Sequence, residues 1–482
     1  MPVSYASPFP GWSRRRLLRM AASGAAAIAV VGLGACGGSA AATTAASVTS
    51  AASTSPAAAA ATSSATAASS QASSAVASPS AAVSAAAATT KPAAAAQAPA
   101  GGALETLTFG APLGLSGPNA VEGKLTKNGY DLWVKVVNEA GGLKAGGKSY
   151  TVAIKYYDDA SVPDQSAQMT ERLITQDKIT LLFGPYGSAP SFQASSVAEK
   201  YRVPMVEGNG AAENIFNRGY KYIFATLSPA KDYGAVMIDM ASHLNPKPAS
   251  VVILSANDSF SLEVGVGAEA LAKQDGLTVA FHEKYPANAT DLSAVVTKAK
   301  QANADVMLNS GHLPESLTIM KAAKELDYNP KLFCFTVGPT TPDFVTTLKQ
   351  SADYVVASSQ WTDAEKWQGA DVFGTPKKFA DLYQKEYGSA PDYHAADGAS
   401  VGVAMQAAIE KANSVDSQAV RDALAKLDIT TFYGPIKFDD RGINTVHPMA
   451  VQQIQQGKLV TVWPSEIAEG PPQYPTPAWS KR

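Results

Sequence analysis

Residues 179–211 read ITLLFGPYGSAPSFQASSVAEKYRVPMVEGNGA, and this stretch decides the fold. Ile179 to Phe183 is a short apolar run of strand type. Gly184-Pro185-Tyr186-Gly187-Ser188-Ala189-Pro190 breaks it as a loop. Ser191 to Tyr201 then carries a helical pattern, and Pro204-Met205-Val206 reads as the next strand. A second loop follows, Glu207-Gly208-Asn209-Gly210-Ala211, again expected to lead into a helix. Strand, helix and strand at this spacing form a parallel unit, in which ligands bind beyond the carboxyl ends of the strands. Helix N-termini at those ends present free N–H groups and a partial positive charge. Ser188 and Asn209 are therefore candidates to hold one ligand carboxylate from two neighbouring loops.

The same alternation extends in both directions. Upstream, Leu107–Ala111 reads as a strand, Gly123–Asn138 as a helix ended by Gly141-Gly142, Val152–Tyr157 as a strand and Ala167–Thr175 as a helix. Downstream, strands are expected at Val251–Leu254, Val306–Leu308 and Leu332–Phe335, with helices near 263–274, 292–302 and 315–326. The end of the chain reads as a small antiparallel finish. Phe432–Phe438 leads into the turn Asp439-Asp440-Arg441-Gly442, and Met449–Ile454 and Lys458–Trp463 follow as strands. After Pro464 the Pro-rich composition predicts a frayed tail. So long an alternating segment exceeds one sheet, and the expected fold class is α/β with two doubly wound parallel-sheet lobes.

The first 103 residues differ. Ser13-Arg14-Arg15-Arg16-Leu17-Leu18-Arg19 precedes a short apolar stretch from Ala21 to Gly34 and then Leu33-Gly34-Ala35-Cys36. A basic region, a short apolar region and small residues describe an export signal over 1–35, and the apolar run is too short to span a bilayer. The paired arginines resemble a twin-arginine signal. Leu33–Cys36 resembles a bacterial lipobox, in which Cys36 is lipidated and starts the mature protein. Residues 37–103 are almost all Ala, Ser, Thr, Pro and Gly, with Lys91 as the only charge. Such a segment cannot offset its chain entropy by burial, so 36–103 reads as a lipidated tether of roughly 45 Å reach.

The chain of 482 residues has 39 basic and 41 acidic side chains, a formal charge of −2. Cleavage before Cys36 removes four arginines and no acid, leaving −6. That balance argues against a nucleic-acid partner and against membrane binding other than through the lipid. The two cysteines and five histidines form no disulfide framework and no zinc motif, so no metal or cofactor is expected. The Gly110–Pro118 turn lacks both nucleotide-binding patterns, and its two prolines remove N–H donors. No G-x-S-x-G elbow is present. Cys334 sits inside an apolar strand and reads as an inert core thiol. Asp158-Asp159 and Asp439-Asp440 read as turn and strand-end acids. An enzyme is therefore not expected.

Several short motifs, in order, carry a resemblance: Leu115-Ser116-Gly117-Pro118, Val137–Gly142, Tyr157-Asp158-Asp159, Phe183–Ser188, Arg218-Gly219-Tyr220 and Gly434–Asp439. From about Leu107 to Trp463 the chain resembles the periplasmic substrate-binding proteins of the branched-chain amino-acid type, which serve ATP-driven (ABC) importers. The resemblance implies the type I periplasmic-binding fold, with three hinge crossings near Thr226–Ser228, Ala357–Gln360 and Thr431–Gly434. The amino-terminal lobe would hold 104–226 and 361–430, the carboxy-terminal lobe 227–357 and 435–468, and 469–482 would form the tail. It also implies a monomer that closes on an amino acid or small carboxylate and delivers it to an importer permease. A ligand-sensing subunit for a membrane signalling partner is the alternative.

Carried over by position, the resemblance places the ligand carboxylate on Ser188 and on the second loop at Asn209, Gly210 and Ala211. Phe260 and His312 would cover the ligand from the other lobe. The family's acidic partner for an α-amino group falls at Val337, a departure that leaves Glu122 or Glu207 to supply that charge, or else a ligand without an amino group. Tyr186, Phe260, His312 and Trp361 would suit a flat or apolar ligand.

Overall fold

The computed structural model describes residues 104–482; the signal segment, Cys36 and the Ala/Ser/Thr-rich stretch lie outside the described residues. Strand β1 (Glu105–Leu113) is followed by α1 (Ala120–Glu139), β2 (Leu143–Ala145), β3 (Lys148–Asp158) and α2 (Pro163–Thr175). Then come β4 (Leu182–Phe183), α3 (Ser188–Tyr201), β5 (Met205–Glu207), a 3-10 turn (Glu213–Ile215) and β6 (Ile223–Ala225). These strands make a six-stranded sheet in the order β2-β3-β1-β4-β5-β6, parallel except for the β2–β3 pair. Buried β1 residues succeed one another without alternation because helices cover both faces. Glycines let those helices approach: a Cβ on Gly129 of α1 would stand 2.0 Å from the Ala395 carbonyl oxygen.

The second sheet begins after α4 (Ala230–Ser242), with β7 (Ser250–Ala256), α5 (Ser259–Gln274), β8 (Thr278–Tyr285), α6 (Ser293–Ala302), β9 (Val306–Ser310), α7 (Leu313–Glu325), β10 (Leu332–Phe335), α8 (Pro342–Leu348) and β11 (Val356–Ser359). Helices α9 (Pro376–Tyr387), α10 (Tyr393–Ala412) and α11 (Ser417–Leu424) return to the first sheet, where α10 packs along α1. The hairpin β12 (Asp428–Thr431) and β13 (Gly434–Lys437) precedes β14 (Ala450–Gln455) and β15 (Lys458–Trp463). The second sheet runs β15-β14-β11-β10-β9-β7-β8, with β14 and β15 antiparallel at one edge. Two doubly wound α/β lobes result.

Three passages between the sheets are tied to one another. Ser228 N–H donates to Gln360 Oε1 (3.1 Å) and Gln360 Nε2 donates to the Ser228 carbonyl (3.2 Å). Ser228 Oγ donates to the His447 carbonyl (2.8 Å), and His447 Nε2 stands 2.7 Å from the Gln360 carbonyl. The third passage thus runs at 445–449, later than the expected Thr431–Gly434. Ile443 still bridges Ala225, the edge of the first sheet, and Asn444 N–H donates to the Ala225 carbonyl.

Other differences have local causes. Helix α3 starts at Ser188, three residues before the expected Ser191, since Pro190 needs no N–H in a first turn. Strand β4 is limited to Leu182–Phe183 because Ile179 N–H donates to the Leu173 carbonyl and closes α2. The second loop leads only into the three-residue turn Glu213–Ile215, not a helix, and Gly219 at φ +75° redirects the chain. Strands β2, β6, β8, β11 and β12 and helices α4 and α8 to α11 were not anticipated. The tail after Pro464 is not frayed. Gln473 N–H donates to Gln453 Oε1 (2.7 Å), and the Trp479 indole donates to the Tyr328 carbonyl (3.1 Å) and packs on Phe333. No helix among the described residues is long and apolar enough to cross a membrane.

Candidate ligand site between the lobes

Each sheet has one point where the strand order reverses, between β1 and β4 in the first and between β7 and β9 in the second. Crevices at such points are where open parallel sheets bind ligands. Glu122 follows β1, Tyr186 and Ser188 follow β4, Phe260 follows β7 and His312 follows β9. The chain therefore delivers five of the expected residues from the four reversal strands.

A cavity of about 10 Å³ is lined by Tyr186, Gly187, Ser188 and Asn209 on one side. Tyr233, Phe260, His312, Val337, Tyr393 and His394 complete it. That is room for about one water, so any larger ligand requires the lobes or rings to part. Gly187, at φ +90°, makes the turn that starts α3 at Ser188. Ser188 Oγ accepts from Ala212 N–H (3.1 Å), which leaves its own proton to donate. Asn209 Nδ2 is buried with no acceptor. Together with the free N–H groups of the first turn of α3, these are donors in want of an acceptor.

Rings form the rest of the wall. Tyr233 meets Phe260 edge to face at 5.1 Å, and Tyr393 stacks on His394 at 4.0 Å. The Tyr186 hydroxyl lies between two imidazoles, 3.4 Å from His312 Nδ1 and 3.5 Å from His394 Nε2. A carboxylate stands behind each: Asp392 Oδ2 is 2.6 Å from His394 Nδ1, and Asp258 Oδ2 is 3.7 Å from His312 Nε2. Burial, with Glu122 next in effect, raises the Tyr186 hydroxyl well above its usual range and keeps it a neutral donor.

The remaining expected residues have other neighbours. Glu207 is fully buried, accepts from Ser191 Oγ and from Asn209 N–H (both 2.7 Å), and is pushed up to about 7 by burial. It shapes the second loop and does not line the cavity. Gly210 packs against Ser191, and the Ala211 carbonyl accepts from Ala230 N–H (2.9 Å); both lie behind the wall. Glu122 is fully buried behind Tyr186, and its Oε1 accepts from Leu313 N–H (3.3 Å) of the opposite lobe. Burial raises its carboxyl, against the pull of His394 and His312. Val337 does line the cavity, and the structure does not bring Trp361 to it. Trp361 packs on Phe379 (5.3 Å) and its indole donates to the Phe432 carbonyl (3.4 Å) beside the hinge.

Sequence reasoning missed Tyr233, Tyr393, His394 and Asp392. Tyr233 belongs to the unanticipated α4. The other three follow Pro391, where Asp392 caps α10 by accepting from Ala395 N–H (3.3 Å), a helix-start signature that was there to be read. Among the described residues no cluster of His, Cys, Asp and Glu could hold a metal ion. Cys334 lies wholly buried in β10, its thiol pushed up by burial. Asp158 and Asp439 make turn bonds: Asp158 Oδ1 accepts from three backbone N–H groups and Asp439 Oδ1 from two.

Two α/β lobes closing on a ring-lined cavity define a solute-binding protein. The periplasmic binding protein family model matches residues 106–458, and the chain belongs to that family, in its branched-chain amino-acid type. It is 28% identical over 392 residues to Leu/Ile/Val-binding protein homolog 7 of Brucella abortus, covering 77% of this chain and 95% of the relative. A leucine-binding protein of Thermotoga maritima superposes with a TM-score of 0.66 at 20% identity, over 74% of this chain and 97% of that one. An ABC-transporter solute-binding protein from R. palustris, in complex with benzoate, gives 0.64 at 17% identity, over 77% and 97%. Membership implies an extracytoplasmic protein that binds a small molecule for an ABC transporter.

Proposed function

We propose that this protein captures a small carboxylate with a flat, apolar body and no α-amino group, and presents it unaltered to the permease of an ABC importer. The observation that carries this reading is the buried, unpaired Nδ2 of Asn209, in the same cavity wall as Ser188 at the start of α3. Unpaired donors at a helix N-terminus ask for an anion. Among the described residues no acidic side chain lines the cavity, and Val337 lines it at the position where the resemblance puts the partner of an ammonium. A buried ammonium left without a carboxylate costs several kcal/mol. Phe260, Tyr233 and Tyr393 offer ring faces and edges to a flat ligand. The benzoate bound by the R. palustris protein is a ligand of this chemistry in the same fold.

The export signal over 1–35, lipidation at Cys36 and a tether over 37–103 complete the proposal, with the monomeric body working near the membrane. The test is thermal shift of the purified protein against benzoate and related acids, and against leucine, isoleucine and phenylalanine. A ligand at one hundred times its Kd adds about 2.7 kcal/mol. Stabilisation by the simple acids alone is expected. Stabilisation by amino acids instead would show that an acid outside the cavity wall, Glu122 first, serves the ammonium.

A further inference from the structure

Two carboxylates cross the cleft in opposite directions. Glu122, on α1 of the first lobe, accepts through Oε1 from Leu313 N–H at the start of α7 in the second (3.3 Å). Glu263, on α5 of the second lobe, accepts through Oε2 from Glu213 N–H (2.6 Å) and through Oε1 from Asn214 N–H (3.3 Å) in the first. Neither side chain lines the cavity. Each grips backbone next to a residue that does, or that holds one. Leu313 follows His312. Glu213 follows Ala212, whose N–H donates to Ser188 Oγ. The Glu213 side chain is held in turn by Lys231 Nζ at 2.6 Å and Arg441 Nη1 at 3.5 Å, which fixes the turn that Glu263 grips. All three bonds run between side-chain carboxyl oxygens and backbone N–H donors, and parting the lobes breaks all three.

We propose that Glu122 and Glu263 form a reciprocal clasp, positioning residues that hold the lobes closed and slow the release of ligand. This rests on the ligand-binding reading for its purpose, but the clasp itself belongs to the lobes and acts with or without ligand. Because the clasped backbone adjoins the cavity wall, closure draws Ser188 and His312 into place in the same motion. The rate of ligand release is then set partly by residues that never touch the ligand.

The experiment is an interlobe distance measurement by paired spin labels at Gln168→Cys on α2 and Lys321→Cys on α7, both exposed. It is made on the full chain in a Cys36→Ser background, where the buried Cys334 stays unlabelled. Wild type should populate a short distance that Glu263→Ala loses and Glu263→Gln, which keeps an acceptor, partly restores. With benzoate and L-leucine as probes, Glu263→Ala should speed dissociation roughly tenfold. Identical distance distributions in wild type and Glu263→Ala overturn the clasp. If neither probe binds, the ligand reading fails, and the distances of the free protein still decide the clasp. Glu122→Ala serves as the second variant, with the same expected loss of the short distance, since it removes the acceptor of Leu313 N–H.

Discussion

Ser188 accepts one hydrogen bond from Ala212 N–H and keeps its proton for something else. Its place between a strand and a helix was legible, but the sequence put it in the loop Gly184–Pro190, whereas α3 starts at Ser188 itself. Asn209 was legible as a loop residue, but the orphaned Nδ2 that makes it informative was not, because burial is a property of the packed fold. Glu207 shows the opposite case. Its charge looked free in the sequence, and Ser191 and Asn209 consume it. At this scale the prediction is that Ser188→Ala weakens binding of the cognate carboxylate by about 1–3 kcal/mol, the usual loss when a buried charged acceptor loses a donor. Titration calorimetry checks it, and unchanged affinity would leave Ser188 as a tie between two loops and nothing more.

Among the elements, strands β10 and β15 fall where their apolar runs end, at Leu332–Phe335 and Lys458–Trp463. Strand β8 escaped notice because it is an edge strand whose exposed residues dilute the apolar pattern. The hinge passages depend on partners 132 and 219 positions apart, Ser228 with Gln360 and with His447, which no local window contains. His447 is wholly buried there, and burial lowers its imidazole to about 4. The sign follows from the unfolded chain, which takes up a proton near 6.5 while the folded one does not. Stability from this ring is complete above about 6.5 and is lost as pH falls toward about 4. His447→Gln should therefore flatten the fall in Tm between pH 7 and pH 4.5 relative to wild type. Parallel Tm–pH curves for the two proteins would show that the hinge imidazole does not titrate with unfolding.

For the whole molecule, the prediction concerns the amino-terminal stretch. If Cys36 is the lipid anchor, Cys36→Ser sends the protein from the membrane fraction to the soluble fraction on cell fractionation, with ligand binding intact. Retention of the variant on membranes would refute the lipobox. The sequence by itself determined the α/β alternation and the break between β4 and α3 at Gly184–Gly187, because apolar period and turn residues are local properties of the chain. Only the tertiary structure decided that Tyr233, Tyr393 and His394 share a wall with Phe260 and His312. It alone moved Trp361 to the hinge and set Glu122 and Glu263 across the cleft. Those relations arise where two sheets reverse their strand order and face each other, and distance along the chain carries no trace of them.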